Sequence, residues 1–353
     1  MTKVFKLGEV HTRFESDPRF VCEKAEAFIR DEKIATKVLL GPEFEYYTFD
    51  SMHFSMKPES YGYKLDAKQA HWNSDTIDNN GYIVAHHGGY HVDLPKDVNF
   101  DMRNEMVLML ENLCVPVKYH HPEVGGPGQQ EIELDFDNTL VMGDRSMHVH
   151  IQLYDGEMPL FYEKGGYSDM SKIGLYAIGG LLRHSASLMA FTNPSTNAYK
   201  RLVPGYEAPV SICFGTANRS SVIRIPGYAT EPNEKRFEFR PSDATANPYL
   251  AFSALVMAAV DGIMNEIDPM IEGYGPYDVN VFDLPDDQKR KIKGLPKNLY
   301  ETISALESDS EYLLRGEVFT KELLDNQIKY LKKEAAAESI MPSPREFMSY
   351  YDL

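Results

Sequence analysis

The sequence predicts an α+β fold built on a largely antiparallel sheet flanked by helices, and three observations point there. Strand candidates, among them Leu39 to Tyr46, Val210 to Gly215, Ser221 to Ile225 and Arg236 to Arg240, outnumber what a simple βα repeat would supply. The sequence carries neither a phosphate loop nor a dinucleotide fingerprint. Charged or imidazole side chains stand two residues apart on strand-like stretches: Glu43 with Glu45, Glu131 with Glu133, His148 with His150, and Glu238 with Arg240. Each pair therefore shares one face of its strand.

The elements follow in order. Asp17-Pro18 reads as an N-cap with proline at the first helical position, and Phe20, Val21, Ala25, Phe28 and Ile29 give the following turns an apolar face. In the next strand Phe44 points into a core while Glu43 and Glu45 point the other way; burying both carboxylates without cations would be costly. A loop rich in glycine and histidine precedes a second amphipathic helix marked by Met102, Met106, Met109, Leu110 and Leu113, and a strand ending near His121 succeeds it. Ile173 to Phe191 reads as one mostly apolar helix containing Gly179-Gly180. Asn247-Pro248 caps another, running through Leu250, Ala254, Leu255, Ala258 and Ile263. Both are predicted to be deeply packed.

No low-complexity run or linker divides the 353 residues, so a single domain over 1–353 is expected. Asp plus Glu outnumber Lys plus Arg by 53 to 36, a formal charge of −17 that would repel a phosphate backbone and argues against nucleic-acid binding. Cys22, Cys114 and Cys213 form neither a disulfide framework nor a zinc ribbon, which fits a reducing cytoplasm. No apolar run reaches membrane-spanning length, so no membrane partner is expected.

Carboxylates and imidazoles projecting together from neighbouring strands suggest a metal-lined concave sheet, and oxygen-rich ligands favour Mg²⁺ or Mn²⁺. Glu123 and Glu131 lie eight residues apart across a glycine-rich turn that can bring both toward one ion, although a glutamate near glycines also suits a solvated loop. His148 and His150 alternate with apolar residues on one strand face, as ligands or as satisfied structural histidines. Arg201, Arg219, Arg224, Arg236 and Arg240 cluster within about forty residues, which suits anionic ligands bound through guanidinium forks or ordinary surface ion pairs. Arg224 between Val222, Ile223 and Ile225 is poorly explained by a solvated surface. Glu238 and Arg240, flanked by Phe237 and Phe239, read as polar groups directed into a site.

These residues resemble the catalytic domain of glutamine synthetases of the bacterial type I class. Gly41-Pro42-Glu43-Phe44-Glu45, His120 to Glu131, Met147-His148-Val149-His150, Asn193 to Val210, Asn218 to Pro226 and Arg236 to Leu250 occur in family order. The stretch Asn193-Pro194-Ser195-Thr196-Asn197 through Glu207-Ala208-Pro209-Val210 is especially specific, and the resemblance extends to Met341-Pro342-Ser343-Pro344-Arg345-Glu346-Phe347.

The resemblance implies a glutamine-synthetase-like catalytic domain with a curved sheet. It implies Glu45, Glu123 and Glu131 as ligands of the metal near glutamate, and Glu43, His148 and Glu238 as ligands of the metal bridging the nucleotide phosphates, with His150 beside those phosphates. Arg201 and Arg240 match glutamate binders. Arg219, Arg224 and Arg236 match positions around ATP and the transferred phosphoryl group, and Glu207 matches the glutamate of a flap that closes over the site. The implied reaction joins glutamate and ammonia at the expense of ATP through γ-glutamyl phosphate, in a homo-oligomer that closes into a ring.

Three departures from the family pattern carry expectations of their own. The family places a small β-grasp domain before the segment resembling Phe14 to Ala25, and it normally supplies a neighbour's aspartate for ammonium; only a few residues precede that segment here. Asp137-Asn138-Thr139-Leu140 runs almost directly into Val141 to His148, so a helix and a strand of the family are expected to be missing near 138–146, and Asp144-Arg145-Ser146 replaces the usual turn before Met-His. Phe282 stands where many members carry a tyrosine that accepts an adenylyl group, so that modification is not expected. The alternative readings are a γ-glutamyl ligase using another amine, and a catalytically impaired scaffold or regulatory subunit.

Overall fold

The computed structural model describes residues 3–6, 12–57, 59–73, 82–138, 148–204, 208–341 and 343–350. Its first helix, α1 (Pro18–Asp31), starts as the sequence predicts. Asp17 accepts the Arg19 N–H at 3.3 Å, proline occupies the first turn, and Val21, Cys22, Ala25 and Ile29 are buried. Next come β1 (Lys37–Tyr47), β2 (Ser51–Lys57), β3 (Ser60–Asp66), α2 (Phe100–Asn112), β4 (Val117–Pro122), β5 (Gln129–Leu134) and β6 (Asp137–Asn138). The chain continues through β7 (His148–Asp155), β8 (Met158–Pro159), α3 (Lys172–Arg183), α4 (Ser185–Thr192), α5 (Thr196–Arg201), β9 (Ser211–Thr216), β10 (Ser221–Ile225) and β11 (Phe237–Phe239). Helices close it: α6 (Pro248–Met264), α7 (Asp286–Lys289), α8 (Leu299–Ser308), α9 (Glu311–Leu314), α10 (Lys321–Ser339) and α11 (Pro344–Tyr350). Among the described residues no helix is long and apolar enough to cross a membrane.

The chain forms two compact units. One comprises Met1–Pro42 and Phe136–Ala336, the other Glu43–Asp135 and Ala337–Leu353. In the larger unit the first half of β1 pairs with β6 (Leu39 with Asn138, Leu40 with Asp137). Thr36 N–H, just before β1, donates to the Tyr154 carbonyl of β7 at 2.8 Å. The order continues from β7 through β11 and β10 to β9. β7 with β11 and β11 with β10 pair antiparallel, whereas β10 with β9 pairs parallel.

Helix α6 is the centre of this unit's core. Asn247 caps it by accepting the Leu250 N–H at 3.2 Å, and every residue from Tyr249 to Gly262 is buried. It packs against α1, α3 and α4. Its contact with α3 depends on glycine, because a Cβ on Gly180 would lie 2.1 Å from the Ala258 carbonyl oxygen. The predicted helix from Ile173 to Phe191 is in fact two. The break is at His184 (φ −93°, ψ 4°), whose ring is held by Asp261 at 3.0 Å and Asp309 at 2.9 Å. Those carboxylates lie far along the chain, so hydrophobic periodicity carries no sign of them.

In the smaller unit the second half of β1 pairs with β5, and β5 with β4, both antiparallel. β2 and β3 form a separate two-stranded hairpin. Helix α2 appears where predicted, but with a different buried face. Met109 and Leu113 are 67% and 73% exposed, whereas Arg103 is the helix's one buried residue at 1%. An amphipathic pattern scores apolar spacing alone, and here Arg103 turns inward because acceptors wait for every edge of its guanidinium.

Candidate active site

Strand register builds the acidic cluster of the smaller unit. Antiparallel pairing of β1 with β5 sets Glu43 opposite Glu133 and Glu45 opposite Glu131, while β4 with β5 sets His121 opposite Glu131. Side-chain alternation then gives a row of Glu45, Glu131 and His121 on one face. Like charges directly opposite one another destabilise a sheet unless something neutralises them.

Glu123 joins this row across the glycine turn. Glu123 N–H donates to the Gln129 carbonyl at 3.0 Å, and Gln129 N–H to the Gly126 carbonyl at 3.2 Å. Gly128 at φ +83° is confined to glycine twice over, since a Cβ there would meet the Thr48 carbonyl oxygen at 2.4 Å. The outcome is a set in which ligand atoms of His121, Glu123 and Glu131 all lie within 4.8 Å of one another. His121 Nε2 stands 3.5 Å from Glu131 Oε2, and its Nδ1 stands 3.8 Å from Glu123 Oε2.

The electrostatics favour a cation. Burial, then the charge of Glu43 and the neighbouring carboxylates of Glu123 and Glu45, push the Glu131 carboxyl up to about 11. Glu123 Oε2 is buried with no hydrogen-bond partner. Such oxygens suit a hard divalent ion, which would replace the proton and supply the missing partner. Two further side chains tune the row: Gln129 Nε2–H donates to Glu45 at 3.0 Å, and Lys118 pairs with Glu133 at 2.6 Å. Glu133 shares the face of Glu131 as its two-residue spacing predicts, but His121, Gln129 and Lys118 were not singled out from the sequence as site residues. Only the cross-strand register, absent from a sequence, places them there.

The larger unit holds a second charged constellation. Pairing of β7 with β11 sets His150 opposite Glu238, and β10 with β11 sets Arg224 opposite Glu238. The two-residue alternation brings His148 and Arg240 to the same face. Glu238, fully buried, receives Arg240 Nη1 at 2.6 Å and the Nε of Arg224, with His148 Nδ1 at 3.5 Å. Thus His148, His150, Arg224, Glu238 and Arg240 are brought together as one polar face, with Phe237 and Phe239 buried on the other.

Two other arginines stand near this face. Arg201, at the end of α5, donates through Nη2 to the carbonyls of Pro241 at 2.8 Å and Ser242 at 3.0 Å, which seats it beside Arg240. Arg236 lies between two rings, 5.3 Å from that of Tyr228 and 5.5 Å from that of Phe136; Phe136 is in turn 6.2 Å from His150. Arg219 is exposed on the β9–β10 turn and lines a depression of about 290 Å³ with Asn218, Asp278, Asn280 and Phe282. Glu207, the expected flap residue, and the junction at 139–147 lie outside the described residues.

Comparison with known proteins places the chain in a family. The model of the glutamine synthetase catalytic domain matches residues 15–147 and 145–350. The glutamine synthetase of Streptomyces coelicolor is 39% identical over 380 residues, covering 98% of this chain and 80% of that protein. The Aquifex aeolicus glutamine synthetase is 37% identical over 373 residues, covering 97% and 78%. Among solved structures, the glutamine synthetase of Plasmodium falciparum superposes with a TM-score of 0.81 at 24% identity, covering 95% of this chain and 79% of that one, a likeness of fold. The chain belongs to the glutamine synthetase family, whose catalytic-domain model it matches from residue 15 to residue 350.

Proposed function

We propose that this protein is an ATP-dependent glutamate:ammonia ligase. The observation that carries the reading is the row of buried carboxylates around Glu131, an arrangement whose repulsion calls for bound cations. In this reading Glu43, Glu45, Glu123, Glu131, His148 and Glu238 are the ligands of divalent ions, Mg²⁺ or Mn²⁺. Ions held there would supply positive charge to offset that of the phosphates.

The chain's own groups do the rest. Arg201 and Arg240 hold the glutamate carboxylates, with Arg201 oriented by the Pro241 and Ser242 carbonyls. Arg219, Arg224 and Arg236 surround ATP and the phosphoryl group, and His150 lies beside the phosphates. The γ-carboxylate attacks the terminal phosphorus of ATP and ADP leaves; the nitrogen of ammonia then attacks the acyl carbon, phosphate departs, and the proton lost from nitrogen passes to a base. Glu207 closes over the acyl phosphate and keeps out water, which would otherwise hydrolyse it.

The protein is further proposed to act as a homo-oligomer in a reducing cytoplasm. The β2–β3 hairpin supports assembly: its cross-strand pair Phe54 and Tyr63 is 70% and 78% exposed, with Met52 and Met56 on the same face. The test of function is ADP release with Mg²⁺ or Mn²⁺, omitting glutamate and ammonium singly and substituting small primary amines for ammonium. The ligase reading requires dependence on both substrates and glutamine in step with ADP. Turnover with an amine but none with ammonium would replace ammonia as acceptor; metal-dependent ATP binding without product would indicate a scaffold.

A further inference from the structure

Behind the carboxylate row, on the opposite face of the same strands, lies a buried polar network that the reaction does not use directly. Arg103 of α2 is 1% exposed and ends between three acceptors. Its Nη1 donates to Asp97 Oδ1 at 2.9 Å and to the Gln130 side-chain oxygen, its Nη2 to the other Asp97 oxygen, and its Nε to His120 Nδ1 at 3.1 Å. Gln130 and His120 immediately precede Glu131 and His121, and alternation turns each to the face opposite its neighbour. One planar guanidinium thus grips both strands at the residues next to the candidate ligands.

We infer that Arg103 is a positioning residue for the metal-binding carboxylates, acting through Gln130 and His120 on the spacing of Glu131 and His121. A guanidinium fork can hold a carboxylate, an amide oxygen and an imidazole nitrogen in one plane, which a lysine ammonium cannot reproduce. Stability alone would be served by an apolar contact here, since a buried ion pair stabilises little over a hydrophobic replacement. What the network adds is a fixed distance between β4 and β5, the coordinate on which an ion shared by their side chains depends.

The inference rests on the metal role proposed above, and the experiment separates the two. Mn²⁺ binding is followed by the spin-resonance signal of the free ion for the full chain and for E131Q, Q130M, R103K and L331A. The sites lost in E131Q define the ligand set. Q130M removes a bond to Arg103 while leaving Asp97 paired, and it also removes a buried amide nitrogen that has no partner. Its thermal midpoint is therefore expected to stay unchanged while the dissociation constant of those sites rises about ten-fold; R103K should raise the constant likewise. L331A, buried in α10 of the other unit, should lower the midpoint and leave the constant alone. An unchanged constant in Q130M, or an equal rise in L331A, overturns the inference even where R103K fails to fold. Absence of any Mn²⁺ sites sensitive to E131Q overturns the metal reading and this one with it.

Discussion

Glu238 concentrates at one residue what the site asks of a sequence. It is fully buried, and Arg224, Arg240 and His148 converge on it. Removing a buried partner of such a set costs about 3–5 kcal/mol, because the remaining charges lose their shared counter-charge. Glu238→Ala is accordingly expected to lower stability in urea by about that amount, whereas a loss below about 1 kcal/mol would class it with exposed ion pairs. At this scale the sequence was informative where alternation alone decides: Glu43 and Glu45, His148 and His150, Glu238 and Arg240 each share a face as predicted. It was silent about His121 beside Glu131 or Lys118 on Glu133, since these are contacts between strands whose register the sequence does not display.

Among the elements, the caps were legible and the exceptions were electrostatic. Asp17 and Asn247 start α1 and α6 because a short side chain followed by proline leaves few other conformations. Helices α2 and α3–α4 departed from prediction at Arg103 and His184, basic side chains turned onto acids: Asp97, six residues away, for Arg103, and the distant Asp261 and Asp309 for His184. His184 offers a test. Both ring nitrogens face carboxylates and so both must donate, which describes the imidazolium; its ring also stacks on Tyr312 at 3.9 Å. Burial alone would lower its pKa, but the bonds and charges of Asp261 and Asp309 outweigh it and leave a net rise. A group raised on folding contributes stability that is complete below its unfolded value, about 6.5, and is lost as pH climbs through the folded value above that. Unfolding free energy should therefore fall with rising pH more steeply in the parent protein than in His184→Gln. Parallel pH profiles would show that His184 is neutral in the fold.

For the whole molecule, composition set a useful bound: a charge of −17 would repel a phosphate backbone and directed the reading away from nucleic acid. The α+β class and the mostly antiparallel pairing follow from many short strands interleaved with helices, and the structure bears both out. Strand order does not follow. β7 pairs with β11 although β9 and β10 intervene in the chain, and the parallel pairing of β9 with β10 depends on packing that no local pattern encodes. The proposed chemistry requires that an oxygen of the glutamate γ-carboxylate become an oxygen of the released phosphate. The most direct measurement is turnover of glutamate carrying heavy oxygen in that carboxylate, with mass analysis of the inorganic phosphate. Label should pass to phosphate in step with glutamine; unlabelled phosphate released alongside glutamine would contradict carboxylate activation.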